Sequence, residues 1–413
     1  MDPIAIFIVL IFFYSLVSKG LEKTIMTAPI IFTLAGMGIY LISPGLVEQE
    51  INHNIVLLIA ELTLALLLFT DASRMDLRKL LKETGLPQRL LGIAMPLTIL
   101  TGTILAVLIF DQFSIWEAAL LAVILAPTDA SLGQVVVKSR LVPESIRRAL
   151  NVEAGLNDGL SMPFFSLFIG LAASVDSLFH GDWLLYTFEQ IFFGLLTGIM
   201  IGWLGGWLLG STGKRGWVEK PLQQLGLLSL ALMCYGGAGL IGGNGFIAAF
   251  TGGLLVKRGF EDAHFHASNF SEAWGQLLNL YVFFLFGTIV TPLIPHFGTP
   301  TLVFAILSLT LIRMLPVAVA MIRTRLAPVS ILFMGWFGPR GLASIVLGLI
   351  YLESEVILRN EVDIVLTVAA AVLLSILAHG VSALPGTKWY ARQLEHLDES
   401  TRELQDTSPA GPD

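Results

Sequence analysis

The chain has 413 residues, 55% of them hydrophobic and only 13% charged, with a mean hydropathy of +0.79. Soluble domains carry about 25% charged residues, so this composition excludes an ordinary soluble enzyme and describes a protein that crosses a membrane many times. The net charge of −7 excludes little, because where the charges fall matters more than their sum.

In chain order the sequence predicts thirteen apolar spans, at 3–18, 26–43, 54–72, 88–110, 115–137, 146–172, 184–210, 222–241, 244–256, 273–293, 300–322, 328–352 and 362–384. The first has Asp2 before it and Lys19 and Lys23 after it. A signal peptide has the opposite charge order, so this run is expected to be a retained span with its N-terminus outside. The connections then alternate in charge. Lys19/Lys23, the Arg74–Arg89 stretch, Lys138–Arg148, Lys214–Lys220, Lys257/Arg258, Arg323/Arg325 and the C-terminal tail hold all but three of the 24 lysines and arginines. The intervening connections, near Glu48, Asp111, Asp176, Gly242, His296 and Glu355, contain only Arg359. By the positive-inside rule the basic set is cytoplasmic, which also puts the C-terminus inside. The expected organisation is a transmembrane domain over 1–385 and a short, polar cytoplasmic tail over 386–413.

Cys234 lies in an apolar run and reads as a small packed residue; as the only cysteine it cannot form an intramolecular disulfide. His264 and His266 fall in an expected cytoplasmic loop as solvated residues. No nucleotide, metal-cofactor or nucleic-acid motif is present in the sequence, so neither a cofactor nor a nucleic-acid partner is expected.

The two halves echo each other. Leu67-Leu68-Phe69-Thr70 resembles Phe284-Leu285-Phe286-Gly287-Thr288, Pro96 corresponds to Pro316, and Ala126-Pro127-Thr128-Asp129-Ala130-Ser131 to Gly338-Pro339-Arg340-Gly341-Leu342-Ala343-Ser344. Spans 1–6 and 8–13 are therefore candidate repeats, with the seventh as linker. The first starts outside and the eighth inside, so the repeats are inverted, which is the sequence pointer to a secondary transporter. Pro127 and Pro339 each remove a backbone donor, so the fifth and twelfth spans are expected to break there. Each break leaves a positive and a negative helix end at membrane depth; Asp129 suits the positive ends and Arg340 the negative ones.

The sixth span opens Asn151-Val152-Glu153-Ala154-Gly155-Leu156-Asn157-Asp158-Gly159. A carboxylate near mid-bilayer costs about 2.5–3.5 kcal/mol on insertion scales, so such residues are kept for a function. Glu153 and Asn157 share a helix face, while Asp158 lies about 140° around from Glu153, so the two acids meet different neighbours. A sodium ion seeks oxygen ligands, and Asp158, Asp129 and the carbonyls of an unwound span supply them. Asp71 and Arg74, three apart at the end of the third span, are either a solvated cap or an entrance to an ion path. Glu61, mid-span, is expected to make a helix–helix hydrogen bond.

Pro127-Thr128-Asp129, Glu153-x-x-x-Asn157-Asp158-Gly159 and Gly338-Pro339-Arg340-Gly341, in that order, resemble the monovalent cation–proton antiporter family. The Asn-Asp pair is similar to the branch holding prokaryotic NhaP-type antiporters and mammalian sodium–proton exchangers. The resemblance covers nearly the whole chain through span count and motif order. It implies an all-α inverted-repeat homodimer in a prokaryotic inner membrane, whose core domain moves against a dimerisation domain. The implied activity is export of sodium or lithium, in some members potassium, for protons. By the same resemblance Asp158 is the carboxylate that alternates between proton and cation, with Thr128 and Asp129 coordinating or shaping the site. Glu153 is expected to pair with Arg340, Asn157 to support the broken helices, and Arg313 to have a structural role. Ala154 departs from the pattern, since some members carry a cation-binding serine there. One exchanging carboxylate implies electroneutral exchange. The rival readings are a potassium–proton antiporter, a passive cation channel, which leaves proton competition unused, and an intramembrane aspartyl protease, which leaves Arg340 and the paired prolines unexplained.

Overall fold

The computed structural model describes residues 3–21, 24–44, 53–75, 85–176, 182–259, 263–353, 358–395 and Glu403, and the regular elements among them are all helices. They are α1 (Pro3–Leu21), α2 (Ala28–Ile42), α3 (His53–Arg74), α4 (Leu86–Ile109), α5 (Ile115–Ile124), α6 (Gln134–Lys138), α7 (Glu144–Asp176) and α8 (Asp182–Lys214). The second part holds α9 (Lys220–Leu240), α10 (Gly245–Gly259), α11 (Ala263–Val290), α12 (Thr299–Ala320), α13 (Pro328–Trp336), α14 (Leu342–Glu353) and α15 (Glu361–Leu394). Among the described residues, eight helices are long and apolar enough to cross a membrane: α1, α3, α4, α7, α8, α11, α12 and α15. Together with shorter apolar helices they make this a multi-pass membrane protein.

The fifth and twelfth spans are each two short helices, α5/α6 and α13/α14, separated by non-helical chain. Prolines also mark the two spans beside them. Pro96 cannot donate to the carbonyl four residues back, and α4 relaxes into a π-helical turn over Leu90–Ala94 just before it. In α12 the backbone departs from helical geometry at Thr310, and Pro316 leaves the Ile312 carbonyl without its helical donor. The Thr101 hydroxyl on α4 reaches that carbonyl at 3.4 Å.

The packing repeats with the halves exchanged. Helix α2, in the first half, lies against α11 in the second, and α10, in the second, lies against α3 in the first. Each contact is backbone-close. A Cβ on Gly36 would collide with the Phe284 carbonyl, and one on Gly253 with the Phe69 carbonyl. The linker α8 packs along α10 through Gly194, Gly198, Gly202 and Gly206, which face Asn244, Ala248, Gly252 and Val256. Both series advance four residues at a time, so the two helix backbones approach closely along their length.

Among the described residues, buried apolar side chains form two clusters. The larger joins α3, α5, α10, α11, α14 and α15, with Cys234 sealed inside the same core. The smaller gathers Leu86, Val136, Ile146, Val317, Phe333 and Tyr390 on the side of the basic connections. One expectation is corrected at a helix end. His264 and His266 belong to the opening of α11 rather than to a loop. Helix α15 continues past 385, and beyond it Glu403 is fully buried, its carboxylate accepting the Ala327 N–H ahead of α13.

Candidate functional site at the crossing of two broken helices

Pro127 and Pro339 create the site. Helix α5 closes at Ile124 and α13 at Trp336, and the non-helical stretches beyond them meet, the Asp129 N–H donating to the Pro339 carbonyl at 2.8 Å. Four helix ends, two positive and two negative, gather there away from water.

Asp129 lies at both positive ends. Its Oδ1 accepts from the Ser131 N–H at 2.6 Å, the Ser131 hydroxyl at 2.5 Å and the Leu132 N–H at 3.4 Å, where the chain turns into α6. Its Oδ2 accepts from the N–H of Leu342, the first residue of α14, at 2.7 Å. Residue 341 has to be glycine, because a Cβ there would overlap the Asp129 carboxylate. Arg340 lies at one negative end: its Nη1 donates to the Ala126 and Pro127 carbonyls beyond α5, at 2.6 and 3.2 Å. The Ser344 hydroxyl adds a bond to the Ile124 carbonyl at 2.7 Å. At the other negative end stands His379 of α15, its Nε2 2.9 Å from the Trp336 carbonyl. Neither His379 nor its neighbour Ser375, which accepts the Arg340 N–H at 2.6 Å, was singled out from the sequence. The available signal was a histidine inside an apolar span, where ionisable residues are rare.

The expected Glu153–Arg340 pair does not form. Glu153 pairs with Arg313 of α12 in a two-pronged contact, Nη1–Oε1 at 2.5 Å and Nη2–Oε2 at 2.8 Å, both side chains only 2% exposed. The reason is geometric: the Arg340 fork is turned to the carbonyls ending α5, whereas Arg313 presents both prongs to the carboxylate. Gly338 makes room for that arrangement, since a Cβ on it would strike the Arg313 guanidinium.

Asn157 donates from Nδ2 to the Thr128 hydroxyl at 2.7 Å, tying α7 to the first break. Its Oδ1 and the Oδ1 of Asp158 are buried and accept no hydrogen bond from the described residues. Asp158 is otherwise half-buried. Asp129 and Asp71 are the carboxylates whose charges act on it, Asp71 lying against α7 at Gly155. A cleft lined by Thr128, Asp129, Ala154, Phe337 and Pro339 extends past Val136 and Val137 of α6. Ala154 gives that lining a methyl group where a serine would give an oxygen. Glu61 stands apart, accepting from the Tyr235 hydroxyl at 2.9 Å and so linking α3 to α9. A buried carboxylate oxygen without a donor can hold a proton or a hard cation.

Comparison with known proteins gives this geometry a context. At 27% identity over 306 residues the chain is similar to a Na(+)/H(+) antiporter of Schizosaccharomyces pombe, an alignment covering 66% of this chain and 65% of that protein. It is 24% identical over 244 residues to the K(+)/H(+) antiporter NhaP2 of Shewanella sp. (strain ANA-3), covering 58% and 41%. The chain thus spans less than two thirds of the length of these curated relatives. In fold it is similar to the sodium proton antiporter MjNhaP1 from Methanocaldococcus jannaschii, with a TM-score of 0.72 at 19% identity over 92% of this chain and 99% of that one. The family model described as sodium/hydrogen exchanger, transmembrane, matches residues 6–389, and the chain therefore belongs to that family.

Proposed function

We propose that the chain exchanges cytoplasmic sodium, or lithium, for external protons, one for one. What supports this reading is the buried, undonated Oδ1 of Asp158, together with that of its chain neighbour Asn157, whose amide is bonded to Thr128 in the cleft wall. Asp158 holds either a proton or the cation. When the cation arrives the proton leaves, because both compete for the same carboxylate. Asn157 cannot ionise and supplies a neutral oxygen. Asp129 keeps its shape rather than exchanging, since both its oxygens are committed to donors at the two positive ends. Glu153 is committed to Arg313. That leaves one carboxylate on the crossing to exchange, and no net charge crosses per cycle.

The cleft is lined by Val136 and Val137 of α6, and the basic connection that begins at Lys138 follows them directly in the chain. With the basic connections cytoplasmic, the ion enters from the cytoplasm, in a homodimer of a prokaryotic inner membrane. The relatives named Na(+)/H(+) antiporters support sodium as the cation, and those named K(+)/H(+) antiporter NhaP2 favour potassium as the second reading. Purified protein in sealed vesicles, with a proton-sensitive dye inside, separates them. Sodium and lithium gradients should drive proton movement and potassium should not. A response to potassium alone would transfer the site to the second reading, and no response to any of the three would end the exchange reading.

A further inference from the structure

Of the four helix ends at the crossing, both positive ones lie at Asp129 and one negative one at Arg340. The fourth is the C-terminal end of α13, and His379 reaches it from α15. His379 is only 1% exposed, with its ring centroid 5.0 Å from that of Trp336. A carbonyl oxygen can only accept, so the nitrogen facing the Trp336 carbonyl carries the hydrogen. In the neutral ring Nδ1 is then an acceptor, and the Ser375 hydroxyl, 3.1 Å away, donates into it. The Ser375 carbonyl, 3.0 Å from the same nitrogen, is the ordinary neighbour one helical turn back. The Ser375 hydroxyl oxygen also accepts the Arg340 N–H. One directed chain therefore runs from the Arg340 N–H through Ser375 to His379 and ends on the Trp336 carbonyl. It clasps both sides of the second break, and Phe337 and Pro339 between them line the ion cleft.

We propose that His379 is a positioning residue of the ion site: with Ser375 it fixes the 336–340 stretch, and thereby the placement of Leu342 against Asp129. A loosened stretch would shift the Asp129 carboxylate and the cleft wall together while leaving Asp158 chemically intact. The inference rests on the exchange reading of this site, and its signature is weakened cation affinity with the maximal rate largely kept.

The test compares wild type, His379→Leu, His379→Gln and Ser375→Ala. Two quantities are read: the sodium KM in vesicles, and the sodium concentration that half-saturates the rise in melting temperature of purified protein. Losing one buried hydrogen-bond link should raise both by about tenfold in His379→Leu and Ser375→Ala. Glutamine keeps an N–H donor at that reach, so His379→Gln should stay within about twofold of wild type. Wild-type values in His379→Leu or Ser375→Ala would overturn the proposal, as would a His379→Gln protein as weak as His379→Leu. Should His379→Leu fail to fold, Ser375→Ala, which removes a single hydroxyl, decides. Vesicles in which even wild type moves no protons would end the exchange reading, and the melting measurement would still judge His379.

Discussion

At the first break Asp129 holds the turn into its own α6 and also reaches across to α14. At the second, Arg340 spends its Nη1 on the far helix, α5, and leaves its own α13 to His379. A carboxylate with two oxygens can bind donors in two directions, and here it joins the halves. The guanidinium points one way only. The first break is thus supported by the crossing itself, while the second needs a third element, α15. Loss of His379 or Ser375 from α15 should therefore reach the proposed ion site by way of the second break.

The largest expected effect sits on neither break. Asp158→Asn should abolish sodium-driven proton flux while the protein inserts and melts as wild type, because no carboxylate fixed at either break can take over its proton. Substantial flux from well-folded Asp158→Asn protein would remove Asp158 from its role.

Next comes the pair beneath the second break. Glu153→Ala or Arg313→Ala leaves a buried charge alone, at a cost of about 3–5 kcal/mol in unfolding measurements. The double variant should cost clearly less than the two single costs added, and Glu153 with Arg340 should couple more weakly. If Arg340 proves the more strongly coupled partner, the geometry described here is wrong.

The breaks themselves should differ in the same assay. A charge at a partly buried helix end is worth up to about 2 kcal/mol. Asp129→Asn affects two ends and Arg340→Gln one, so the aspartate variant should be the less stable, and its flux should fall strongly. Equal losses would mean that the two breaks are supported alike.

The smallest effect is an expected near-absence. A potential acts on moved charge at about 2.3 kcal/mol per elementary charge per 100 mV, and one-for-one exchange moves none. Flux compared at two clamped potentials should therefore barely change. A several-fold difference would show that Asp129 exchanges a proton as well, and the idea that its oxygens are fully committed would fail.

Much of this arrangement is legible in the sequence because its causes are local. A proline lacks its donor wherever it stands, so Pro127 and Pro339 announce the breaks. Alternating basic connections mark the turns between helices, and the cost of a carboxylate in an apolar run draws the eye to Glu153 and Asp158. Partner choice is a different matter. Arg313 and Arg340 are both arginines inside spans, and which of them meets Glu153 depends on how α12 lies against the crossing. His379, four residues after Ser375, looks like one polar interruption among many until the end of α13 is brought against it. Asp71 similarly reads as a helix end until packing sets it against Gly155, one turn from Asp158.

Each half of the chain completes the other's broken helix, and this has a consequence in time. The Ala126 carbonyl and the Arg340 guanidinium that meets it are 214 residues apart in the chain. At about 5–20 residues per second of synthesis, the first break waits roughly 10–40 s for its partner to be made. Throughout that interval α5 and α6 have an open carbonyl end, and Asp129 lacks the Leu342 N–H, in or beside a bilayer that offers them little. The newborn first half therefore has reason to linger at the insertion machinery or at the membrane surface. The crossing closes only once the twelfth span arrives, so the proposed ion site is among the last parts of the protein to exist.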